Sequence, residues 1–137
     1  MTATAAELNL TDAAPATVTF APAAGGANVC EVTITVKDAA SATLTGVRNL
    51  EIWLSDAATG AGLTGTTASG TVTAKAASGT VLTAFTAKKH LTGQTLAAGT
   101  FILEITDTAK TGFYVAVANP LTGAPIVSAQ LVTGNYG

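Results

Sequence analysis

In 137 residues there is one cysteine, Cys30, one histidine, His90, and one tryptophan, Trp53. A single cysteine excludes an intrachain disulfide and a thiolate metal cage. Charge is equally sparse: 10 % of residues are charged, where soluble domains average about 25 %. The six Lys and Arg are scattered except for Lys88, Lys89 and His90, and the net charge is -2, so the basic stripe that neutralises phosphates is missing and no direct nucleic-acid partner is expected. No apolar run approaches the ~18 residues of a membrane span; the longest strongly apolar pieces are FILEI and FYVAVA, and no membrane partner is expected. The start, MTATAAELNL, has no basic n-region and carries Glu7 where a signal peptide needs an apolar core, which predicts a chain made and used without secretion.

What is abundant is alanine, threonine and glycine. Helical patterning fails, because Thr, Gly and Ser interrupt the alanines and no i, i+3, i+4, i+7 stripe is sustained. The period that recurs is two. In NVCEVTITVKD, Cys30, Val32, Ile34 and Val36 fall on one face and Glu31, Thr33, Thr35 and Lys37 on the other, as in a half-buried antiparallel strand. Cys30 therefore reads as a small buried hydrophobe.

The same alternation appears at Val18 and Phe20, at Leu50, Ile52 and Leu54, at Phe101, Leu103 and Ile105, and at Phe113, Val115 and Val117. A last strand is expected to turn Val127, Ala129 and Leu131 inward. Weaker strands are expected at 71–75, 81–86 and 89–95. Gly, Asp and Pro clusters separate them, including SDAATGAG and NPLTGAP. The fold class is all-β, an antiparallel β-sandwich of about eight short strands, jelly-roll type, with an immunoglobulin-like sandwich as the alternative. Residues 1–14 read as an N-terminal arm and 15–137 as a single β-sandwich domain. Within the bland stretch 55–80 a turn is expected at 56–62 and a strand near 71–75, with its threonines facing out.

No catalytic, cofactor or metal residue is assigned. His90 would have to serve any nucleophilic triad, yet no GxSxG elbow exists, and it is expected at an exposed strand end or loop. Glu31, Glu51 and Glu104 lie on polar faces of strands, where they discourage edge aggregation. A DxDxDG calcium loop and the phosphate-binding GxxxxGK and GxGxxG patterns are absent.

The candidate residues are instead for partner contacts. Trp53 and Tyr114 point away from the apolar faces of their strands and could anchor a protein or stack on a sugar. Leu8 and Leu10 give the arm an apolar pair that can reach a neighbour, and Tyr136, in the ending QLVTGNYG, is available as a terminal anchor.

The stretch VTITVKDAASATLTGVRNLEIWLSD resembles bacterial immunoglobulin-like repeats. Together, NLEIWLSDAATGAGLTGTTASG, TFILEITDTAKTGFYVAV and LVTGNYG resemble the cement, or decoration, proteins of tailed-bacteriophage heads. That resemblance implies a non-enzymatic virion protein made in the host cytoplasm and carried on the capsid exterior. It would bind the major capsid protein and itself, as a homodimer or alternatively a trimer, and hold neighbouring subunits against the pressure of packaged DNA. The alternative is an immunoglobulin-like adhesion or carbohydrate-binding module, for which the outward Trp53 and Tyr114 speak.

Overall fold

The computed structural model describes residues 14–137. The arm's Leu8 and Leu10 lie outside the described residues. Among the described residues nine strands form two antiparallel sheets: β1 (Thr17–Ala24), β2 (Val29–Lys37), β3 (Asn49–Ser55), β4 (Val72–Ala74), β5 (Thr80–Thr86), β6 (His90–Gln94), β7 (Thr100–Thr106), β8 (Tyr114–Ala118) and β9 (Pro125–Val127). One sheet has the order β1-β2-β7-β4 and the other β5-β6-β3-β8-β9. The expected antiparallel β-sandwich is present. Among the described residues the only helical element is a 3-10 turn at Thr133–Asn135, and no helix is long and apolar enough to cross a membrane.

The core follows from cross-strand pairing of apolar residues. Cys30 lies opposite Ile105, Val32 opposite Leu103 and Ile34 opposite Phe101, and all six side chains are fully buried. Each pair places two apolar groups side by side on one face. They meet Leu50, Ile52, Leu54, Val115 and Val117 from the other sheet and Phe113 just before β8. Fully burying one such large aliphatic or aromatic side chain contributes about 1.5–3 kcal/mol. Phe101 reaches furthest across: a Cβ added at Gly93 would fall 2.6 Å from its ring, so the gap in the apolar pattern of β6 is the socket for a side chain from the opposite sheet.

The last strand departs from expectation. Regular pairing stops at Val127, and it is Ile126, opposite Val117, that packs against the core. Val127 lies opposite Ala116 on the outer face. The chain then follows β8 irregularly, with Ser128 donating its N–H to the Val115 carbonyl and Leu131 donating to Phe113. Three residues are spent against two on β8, and that extra residue leaves Ala129 exposed while Leu131 is buried. Ser128, itself buried, supports the irregular stretch: its Oγ accepts from Val115 N at 3.0 Å and donates to Ala129 O at 2.8 Å.

Among the described residues β5 is an edge strand of the five-stranded sheet. Its sequence TVLTAFT has neither charge nor proline; Leu82 and Phe85 are exposed, and two register irregularities interrupt its pairing with β6. Bulges twist an edge away from further strand pairing.

Candidate functional site

The outer face of the five-stranded sheet is where the chemically distinctive side chains collect. Trp53 on β3 lies opposite His90 on β6 and opposite Ala116 on β8, while Ser55 lies opposite Tyr114. Cross-strand partners share a face, so Trp53, His90, Tyr114, Ser55 and Ala116 all belong to the outer one. On an open sheet face the small residues Ser55 and Ala116 would be wet, yet both are completely buried.

Their cover is the stretch immediately after β3. The indole Nε1–H of Trp53 donates to the Gly60 carbonyl at 2.9 Å, and Ser55 Oγ donates to Ala61 O at 3.1 Å. Gly60 adopts φ +74°, and a Cβ there would lie 2.9 Å from Val127 Cγ2 and 3.0 Å from Pro125 Cβ. The left-handed conformation and the absence of a side chain are both required for so close an approach. The turn at 56–62 is therefore a roof laid over β3, β8 and β9.

Asp56 anchors the far side of this roof. It accepts from Thr64 Oγ1 at 2.6 Å and from Gly65 N at 2.8 Å. The Thr64 hydroxyl, then the Gly65 amide, hold its carboxyl below the ordinary aspartate value. Thr64 is buried, so not every threonine of this stretch faces out. Lys88 and Lys89 donate to the carbonyls of Ala68 and Gly65, tying the continuing segment to the β5–β6 turn.

Beside the roof, Glu51, Trp53, Gly60, Gly62, Leu63 and His90 line a depression of ≈ 320 Å³. His90 Nε2 lies 2.8 Å from Glu51 Oε1. An ionised carboxylate only accepts, so Nε2 carries the hydrogen, and Nδ1 is the acceptor of the neutral ring. The imidazole sits between two aromatics: Trp53 meets it edge-on at 6.3 Å and Phe85 is tilted over it at 4.9 Å. Of the expected exposed strand end or loop, the strand end is what the structure has, since His90 is the first residue of β6; its exposure is corrected, because the aromatic pair around it leaves it half-buried.

Trp53 and Tyr114 share the outer face but not one patch. The residues between them, Ser55 and Ala116, lie beneath the roof, and Trp53 is engaged with Gly60 and His90. Tyr136, expected as an exposed anchor, is buried at 3 % exposure, and its hydroxyl donates to Thr111 O. The reason is local: the 3-10 turn folds the chain back so that Gly137 N donates to Val29 O, closing the β1–β2 end of the core. Burial, with the Cys30 and Asp107 side chains nearby, pushes the Tyr136 hydroxyl well above the ordinary tyrosine range.

The other titratable groups are structural. Cys30 is buried, and burial, followed by the neighbouring Glu31 carboxylate, raises its thiol to about 11. Glu31 pairs with Lys75 at 2.8 Å, and Glu104 lies opposite both Glu31 and Thr73. Among the described residues no three His, Cys, Asp or Glu side chains converge as metal ligands.

Glu51 and His90, which line the depression, were not chosen from the sequence as partner contacts. The signal that could have found them is register: Glu51 and Trp53 alternate on one face of β3, and a strand ending in His90 opposite Trp53 assembles the group. No family model matches the chain, no curated protein matches it, and no solved structure matches it.

Proposed function

We propose that this chain is a structural virion protein that binds the outer surface of a phage capsid and joins neighbouring major capsid protein subunits. The supporting observation is an apolar end of the sandwich. The β2–β3, β6–β7 and β8–β9 connections leave or enter their strands at the end where β3 begins, and they present Val47, Leu96 and Leu121 at 56 %, 39 % and 69 % exposure. β1 also starts there, since Thr17 pairs with Lys37. Apolar loop tips gathered at one end of a domain with few charged residues suit a protein held in an assembly.

The physics of such a clamp is mass action. A site complete only across a subunit junction exists only in the built shell, so occupancy stabilises the shell over its separated subunits. Repetition over the lattice multiplies a modest interface of ~1,000 Å².

The test is addition of purified protein to preassembled heads lacking it. Saturation at a stoichiometry set by the lattice, with a rise in the temperature of head disruption, supports the reading. Heads that neither bind nor gain heat resistance overturn it. In a variant carrying Val47→Asp, Leu96→Asp and Leu121→Asp, binding is lost while the protein remains folded, because these side chains have no role in the core.

A further inference from the structure

We propose that the depression beside the roof is a binding site for a neutral saccharide, held by Glu51 and His90 against the Trp53 indole, with Phe85 as an outer platform. The inference goes beyond lattice binding and does not depend on it.

Five observations carry it. The volume, ≈ 320 Å³, is at the small end of ligand pockets and suits about one sugar ring. The lining combines apolar surface from Trp53 and Leu63 with convergent polar groups from Glu51 and His90, and a pyranose has the matching character, an apolar C–H face and a rim of hydroxyls. Gly60 and Gly62 contribute no side chains, and a Cβ at Gly62 would meet nothing within 4 Å, so the mouth on that side is open.

The polar groups are mainly acceptors. Glu51 Oε1 is engaged by His90, whereas Glu51 Oε2 and His90 Nδ1 have no hydrogen-bond partner among the described residues. Trp53 Nε1–H is committed to Gly60 O. A ligand is therefore recognised by the hydrogens it donates, as adjacent hydroxyls do to a carboxylate and an imidazole nitrogen. An ammonium or guanidinium also donates. Glu51 is the one formal charge in the lining, and on the surrounding elements Asp56 is outnumbered by Lys88 and Lys89, so the formal charges sum to zero and a neutral polyol is a better match than a cation.

Phe85 extends the site. It is 61 % exposed on an edge strand, yet packs against His90 at 4.9 Å. A large aromatic held in place by a neighbouring ring and open to solvent is a preformed stacking surface.

Trp53 is the sole tryptophan, so its emission and its indole N–H resonance report on the site directly. The full chain is titrated with glucose, galactose, mannose, rhamnose and N-acetylglucosamine, and separately with N-acetyl-lysine methylamide. The expected result is a saturable shift of the Trp53 signals with at least one sugar, at a Kd on the order of 1 mM. Glu51→Gln and Phe85→Ala, both at exposed side chains, then weaken binding by about tenfold or more with an unchanged Tm, since each removes roughly one polar or stacking contact. No sugar shifting the signals of the folded protein at concentrations well above that Kd overturns the proposal. So does saturation by the lysine amide alone, or sugar binding unaffected by both variants.

Discussion

The hydroxyl of Tyr136 donates to the backbone carbonyl of Thr111 at 2.7 Å, across the end of the sandwich. That loop is held from its other side by Asp107, whose carboxylate accepts from Thr111 N at 2.9 Å and from Ser69 N at 3.1 Å. One buried phenol and one buried carboxylate thus fix the β7–β8 connection between them. Tyr136→Phe keeps the ring and removes one of two donors to that carbonyl, which also accepts from Phe113 N at 3.0 Å, and is expected to cost about 1 kcal/mol. Tyr136→Ala also opens a cavity and is expected to cost about 3–5 kcal/mol. Urea denaturation at neutral pH measures both; equal losses would mean the ring's packing contributes nothing.

Asp107 predicts an acid response. Burial opposes its ionisation, but hydrogen bonds from Thr111, Ser69 and Ala109 outweigh that and hold the carboxyl at about 2, below the ordinary 3.8. The folded value is the lower one, so its stabilisation is complete above the unfolded value and lost as pH falls from about 4 towards 2, on the order of 2 kcal/mol. Asp107→Asn should be less stable at neutral pH and flatter in this window. Denaturation midpoints at successive pH values down to that range give the comparison.

At the alkaline end the sign reverses. Cys30 is raised from 9.0 to about 11, and Tyr136 is raised as well. Each folded value exceeds the unfolded one, so the neutral forms stabilise the fold fully below about 9; the Cys30 part drains away as pH climbs through about 11, and the Tyr136 part only at still higher pH. A thiol alkylating reagent should leave native Cys30 unmodified at neutral pH and modify it on unfolding. Ready modification in the folded protein would contradict this burial.

Gly60→Ala tests the roof. The new methyl meets Val127 and Pro125 in a backbone conformation with φ +74°, so a loss of about 1–3 kcal/mol is expected. The Trp53 emission should shift to the red as the indole loses its Gly60 partner. An unshifted spectrum would place the strain elsewhere.

The strands were readable where alternation was carried by Val, Ile, Leu and Phe: β2, β3 and β7 need only a period of two and an apolar face. Ile126 and Val127 defeat that reading. Both are β-branched, so composition cannot say which faces in, and the decision is made by their pairing with Val117 and Ala116. The turn at 56–62 was legible, but its packing as a roof was not, for the opposite reason. Residues 57–62 contain only Ala, Thr and Gly, and what makes them pack is the shape of the face beneath. Tyr136 looked free because nothing in QLVTGNYG announces that it returns to the core. The depression needed two cross-strand registers, Trp53 with His90 and Glu51 with Thr92, which no single stretch of chain contains.

The pairing of β2 with β7 also sets a timescale. Ile34 meets Phe101 only after all of β3 to β6 has been accommodated elsewhere, and sheets closed by such distant contacts form in milliseconds to seconds rather than microseconds. Trp53, on the central strand of the other sheet and under the roof, should acquire its native emission late in refolding. During that interval the uncharged β5 segment is exposed without its neighbours, and the yield of folded protein should fall as its concentration rises.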